Sequence, residues 1–202
     1  MEATLCLLKP DTFERGLDED ILIKLTRDTG LEVIASKILV ATVPQIRRFC
    51  GKPEEWLIKK GEAGLRVLNL WTSQSNRENA LVAGKEIVDQ LVAYLTRGEI
   101  MALVLRGQNA IQLVMELCGD TEPISAKRGT IWSWSTDSYY KSTIQRRALE
   151  NLIHRSDSES AFLQETPIFF QGFELLEINN KIGAWRTPNR YQICPIAELD
   201  EE

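Results

Sequence analysis

The sequence predicts an α/β chain in two layers, a small sheet with helices packed on one face. Two observations lead there. Short apolar runs alternate with longer segments whose apolar residues recur at helical spacing. No region is dense in hairpins, as an all-β chain would be. The chain opens on TLCLLK at 4–9, an apolar run ended by Pro10-Asp11, hence a buried strand and a turn. In ERGLDEDILIKLTRDTG, Leu17, Ile21, Leu22 and Leu25 share a helical face, and Gly30 stands where a C-terminal cap belongs. LEVIASKILVA at 31–41 is long and β-branched, a second strand with a bend. VPQIRRFCGKPEEWLIKKG is helical in pieces, broken at Gly51 and Pro53. Ser75 and Glu78 match a capping box, and a helix runs over 75–97 to Gly98. EIMALVLR at 99–106 is a third strand, and QNAIQLVMELCG a helix stopped by Gly119. After the turn-rich GDTEPISAKRGT come a short helix near 143–150, a strand around Leu152-Ile153 and a helix from about 158 to 165. Residues 171–202 lack strong periodicity and read as an appended tail with a strand or two.

Charge and composition narrow the function classes. Lys and Arg number 24 against 29 Asp and Glu, a net charge of −5. Nucleic acid is therefore not the expected partner, although a local phosphate pocket is compatible with that balance. No apolar run approaches the roughly 20 residues that span a bilayer. The opening segment lacks the basic stretch of a secretory signal, so the chain reads as cytoplasmic, with no membrane partner. Cys6, Cys50, Cys118 and Cys194 are scattered without a C-x-x-C pair, and His154 is the sole histidine. These residues make no zinc site of the usual spacing, and the cysteines read as reduced thiols.

Chemistry concentrates in NLIHRSDS at 151–158. An apolar strand end delivers His154, and Ser-Asp-Ser then caps a helix. Helix N-termini attract phosphate through unpaired N–H groups, so a histidine there points to phosphate binding or phosphoryl transfer. A satisfied histidine at a strand end is the plainer alternative. Lys9 at the first strand end and the basic KRGT loop (Lys127, Arg128, Thr130) are weaker phosphate signals, and no P-loop or G-x-G-x-x-G occurs.

Taken together, LLKPDTFERGL, LRGQNAIQLVMELCGDTEP, AKRGTI, NLIHRSDSESA and ETPIFF, in this order, resemble the nucleoside diphosphate kinase family. The resemblance runs from about residue 3 to 170. It sets apart a domain over 1–170 with inserts near 60–97 and 134–148, and an extension over 171–202. It implies a ferredoxin-like sandwich, a four-stranded antiparallel sheet covered by helices, with ETPIFF as an apolar strand-terminating end. The reaction it implies moves the γ-phosphate of a nucleoside triphosphate to a nucleoside diphosphate through a phosphohistidine. His154 would be the nucleophile, Glu165 would orient the imidazole, and Lys9 would contact the transferring phosphate. Thr121 would hold a phosphate oxygen, Asn151 would reach the ribose, and Ser156 would support the site. The implied partners are ATP and other nucleoside di- and triphosphates, Mg2+ carried by the nucleotide, and further copies of the chain in a homo-oligomer.

The chain also departs from the family pattern. Trp132 and Met115 stand where the family has phosphate-binding arginines, Cys50 falls near a tyrosine that supports the lysine, and Arg155 replaces a small residue. Each charge-assisted phosphate contact is worth about 1.5–3 kcal/mol. Trp132 could stack on a base or ribose instead. Arg128, Arg155, Arg146 and Arg147 could replace the lost charge. Two outcomes follow: a kinase with rearranged phosphate contacts, or a nucleotide-binding or assembly protein with impaired transfer.

Overall fold

The structure is a computed structural model describing residues 1–170 and the backbone of two short paired strands, Glu177–Ile178 and Lys181–Ile182. The rest of the 171–202 tail lies outside the described residues, and so does Cys194. Strand β1 (Glu2–Leu8) leads into α1 (Pro10–Glu14) and α2 (Asp18–Arg27), then β2 (Glu32–Val40). Helices α3 (Val43–Phe49), α4 (Glu54–Val67) and α5 (Arg77–Leu95) precede β3 (Glu99–Gly107) and α6 (Ala110–Cys118). After 3-10 turns at Pro123–Ser125 and Trp132–Trp134 come α7 (Tyr139–Ile144), β4 (Ile153–Arg155) and α8 (Glu159–Phe169). The four strands form one antiparallel sheet in the order β2-β3-β1-β4.

The expectation of helices on one face is corrected: both faces of the sheet are covered. Leu5 and Leu7 of β1 pack with Ile46, Phe49, Val92, Leu95, Phe162 and Phe169 on one side. Cys6 and Leu8 pack with Ile21, Leu25, Ala110, Val114 and Cys118 on the other. The physical reason is visible in TLCLL, which does not alternate, because neither face of β1 meets water. Residues 3–8 are all buried. The bend expected in β2 is a register shift between Val33 and Ala35.

Several local expectations are also corrected. Pro10-Asp11 opens α1 rather than a plain turn, because proline at the first helical position has no N–H to lose. The cap of α5 is Asn76 with Asn79, each side chain accepting the other's backbone N–H, rather than Ser75 with Glu78. The helix placed near 143–150 lies at 139–144 instead, started by the Ser138 side chain accepting from Lys141 N–H. ETPIFF ends no strand, since α8 runs on through it with Pro167 inside. Burial of Ile168, Phe169 and Phe170 offsets the hydrogen bond that Pro167 cannot make. Leu152 lies outside the strand, at φ 68°.

Candidate active site

The histidine is held by the ends of three elements. Lys9 follows β1 in extended conformation and caps α1. Its backbone N–H donates to the Leu152 carbonyl at 2.7 Å, and the Thr12 hydroxyl donates to the same oxygen at 2.6 Å. The Leu152 N–H donates to an Asp11 carboxylate oxygen at 3.0 Å. Both polar groups of Leu152 are thus gripped by the first turn of α1. That grip holds leucine in the left-handed region, which ordinarily costs on the order of 1–3 kcal/mol. Two residues later β4 presents His154 opposite Leu7.

His154 Nε2 lies 2.9 Å from a Glu165 carboxylate oxygen, and the Ser156 hydroxyl donates to that oxygen at 2.7 Å. Lys52 Nζ is 3.9 Å from the other oxygen. The Phe49 ring meets the imidazole edge-on, centroids 4.8 Å apart. Burial lowers the His154 pKa below the ordinary imidazole value, despite the neighbouring carboxylate. Burial pushes Glu165 up, but the His154 and Ser156 hydrogen bonds and the Lys52 charge outweigh it and leave the carboxyl below its usual value. The pair is therefore a neutral imidazole beside a carboxylate. With Nε2–H donating to Glu165, the lone pair on Nδ1 is left free.

Lys9 Nζ donates to the Asn151 side-chain oxygen, and the Asn151 amide donates to the Thr121 carbonyl at 3.1 Å. Burial lowers the Lys9 pKa to about 8. His154, Glu165, Ser156, Lys9 and Asn151 are thus brought together, with the exposed Thr121 joined through its backbone. Arg128 is exposed on the loop between the two 3-10 turns. Trp132 is placed differently from the expectation of base stacking. It is buried at 4% exposure, and its indole N–H donates to the Ile153 carbonyl at 3.0 Å. Met115 is half-buried on α6.

Sequence reasoning missed Tyr94, Asp11, Phe49 and Lys52. The Tyr94 hydroxyl donates to Asp11, and its ring centre lies 5.9 Å from Lys9 Nζ. A tyrosine thus stands beside the lysine, supplied by α5 rather than from near Cys50. Its buried place in a helical apolar pattern was the available signal, and the Asp11 signal was its position right after Lys9-Pro10.

A family model described as nucleoside diphosphate kinase matches residues 62–175. The nucleoside diphosphate kinase of Pyrobaculum aerophilum is 35% identical over 182 residues, covering 88% of this chain and 99% of that protein. That of Thermoplasma acidophilum is 31% identical over 176 residues, covering 87% and 93%. The chain belongs to the nucleoside diphosphate kinase family. The crystal structure of the Pyrobaculum aerophilum NDP kinase superposes with TM-score 0.75 at 34% identity, covering 84% of this chain and 96% of that one. A Borrelia burgdorferi nucleoside-diphosphate kinase structure, at 24% identity and TM-score 0.67, shares the fold over 92% of each chain. The ferredoxin-like sandwich of the nucleoside diphosphate kinases therefore frames this site. Among the described residues no group of three or more His, Cys, Asp or Glu could hold a metal ion, and no helix is long and apolar enough to cross a membrane.

Proposed function

We propose that the chain is a nucleoside diphosphate kinase working through His154. The observation carrying this reading is the hydrogen bond from His154 to Glu165, which fixes the ring and leaves Nδ1 as the nucleophile. In the first half-reaction the Nδ1 lone pair attacks the γ-phosphorus of a nucleoside triphosphate. The bond from that phosphorus to the bridging oxygen breaks, and the diphosphate leaves with the electron pair. In the second half, a terminal oxygen of another nucleoside diphosphate attacks the phosphorus and the imidazole leaves. The first step needs a neutral histidine, and both need stabilised charge on the phosphoryl oxygens.

Glu165 and Ser156 orient the ring, and Lys9 faces the moving phosphoryl group. Asn151, now bonded to Lys9 and Thr121, exchanges those bonds for nucleotide hydroxyls. Thr121 offers its side chain to a phosphate oxygen. Mg2+ would arrive with the nucleotide as part of the substrate and offset phosphate charge. The chain acts in the cytoplasm as a homo-oligomer.

The test is incubation with γ-labelled ATP and magnesium beside His154→Ala, followed by a chase with unlabelled GDP. The expected result is acid-labile label on the unaltered protein only, discharged by the diphosphate. Nucleotide-dependent thermal stabilisation without label would mean that the chain binds but does not transfer.

A further inference from the structure

We propose that Arg155 supplies the phosphate-clamping cation of this site and that Trp132 is its platform. The inference rests on the nucleotide-binding reading above and adds a residue to it. Four arginines near the site could replace the lost charge. Arg147 is engaged by Asp137, with contacts of 2.5 and 2.8 Å. Arg146 lines a groove with residues of α4 and α5. Arg128 stands exposed on its loop. Only Arg155 shares a strand with the nucleophile, as the next residue.

Its surroundings do not account for it. The guanidinium carbon lies 5.3 Å from the centre of the Trp132 ring. The Nε–H is buried and has no hydrogen-bond partner, and no carboxylate pairs with the group among the described residues. A buried charged donor left unmatched is costly, and native proteins rarely keep one without a use. The platform, by contrast, is fully satisfied. The Trp132 indole is pinned to the Ile153 carbonyl, so its face is fixed as a surface for the guanidinium. The two departures form a matched pair: tryptophan where an arginine is expected, and arginine where a small residue is expected, in contact with each other.

The position suits a phosphate chain. Alternation along β4 sends His154 to one side of the sheet and Arg155 to the other. β4 is an edge strand, and His154 and Arg155 stand on its two faces at that edge. The planar fork of arginine suits paired phosphate oxygens.

The experiment measures binding of ADP with magnesium, and of adenosine, to the unaltered protein, Arg155→Met and Arg155→Gln. Arg155→Met keeps an apolar stem on the indole, and melting without nucleotide checks its fold. The expected result is ADP affinity lowered about ten- to hundredfold with adenosine binding unchanged. The double change Trp132→Arg with Arg155→Gly should recover at least part of that loss. ADP affinity within twofold of the unaltered protein in a folded variant overturns the proposal. If Arg155→Met fails to fold, Arg155→Gln decides by the same criterion. Failure of His154 to label would sink the kinase reading while leaving the ADP comparison intact. Normal labelling with unchanged ADP affinity would sink only the role of Arg155.

Discussion

Asp11 shows at the residue scale how one side chain can serve two parts of a site. One oxygen fixes the Leu152 N–H and the other receives the Tyr94 hydroxyl, so the turn before His154 and the wall beside Lys9 share a support. The titration of the two working groups follows from their burial. In the proposed reaction His154 must be neutral to attack, and its pKa is lowered, chiefly by burial. In the same proposal Lys9 must be charged to meet phosphate, and burial brings its pKa down to about 8. As pH falls, the nucleophile is lost only below the ordinary imidazole value of about 6.5. As pH rises through about 8, the Lys9 cation is lost. The profile of kcat/KM, which reports the free protein, should therefore be a bell with its acid limb below about 6.5 and its alkaline limb near 8. A kcat/KM that stays flat well beyond pH 8 would contradict the placement of Lys9. Much of this site was legible in the sequence, because His154, Ser156 and Glu165 lie within one short segment. Tyr94 was not, since only folding brings α5 beside the end of β1.

At the element scale, the α4–α5 hairpin packs backbone against backbone. A Cβ on Gly84 would stand 2.1 Å from the Leu57 carbonyl oxygen, and one on Gly61 would stand 1.8 Å from that of Ala80. Neither oxygen can move without shifting its helix. Gly84→Ala should therefore destabilise by about 1–3 kcal/mol, lowering Tm by roughly 2–4 °C per kcal/mol. Gly64, in the same hairpin, offers the control: its added Cβ meets only Ile87 Cδ1 at 3.7 Å. Gly64→Ala should leave Tm unchanged or raise it, because alanine is the better helix former by up to about 1 kcal/mol. Equal melting of the two variants would refute the close crossing. The helices themselves were readable from their periodicity, but the crossing was not. The glycines fall inside helical patterns, and nothing local says which backbone will approach them. The cap of α5 was misread for a related reason: two overlapping boxes, Ser75 with Glu78 and Asn76 with Asn79, compete, and the structure closes the second.

At the scale of the whole molecule, the four-stranded sheet covered by helices was legible once the family resemblance was joined to the apolar runs. Covering on both faces was the part that periodicity alone misassigned. β2 forms the outer edge of the sheet opposite β4, and Ile38 and Val40 on it are 54% and 61% exposed. An apolar edge strand of this kind invites pairing with another chain, so the proposed homo-oligomer should form there. Light scattering should give a multiple of the protomer mass, lowered by joint Ile38→Lys and Val40→Lys. A mass unaffected by that pair would place the interface elsewhere. The central claim, that Glu165 holds Nε2 so that Nδ1 takes the phosphoryl group, has a direct test because the chain carries one histidine. The protein would be prepared with 15N-labelled histidine and phosphorylated with magnesium ATP. Nitrogen NMR would then show which ring nitrogen bonds to phosphorus. The account predicts a single species phosphorylated at Nδ1, whereas phosphate on Nε2, or an imidazole left unmodified by ATP, would contradict it.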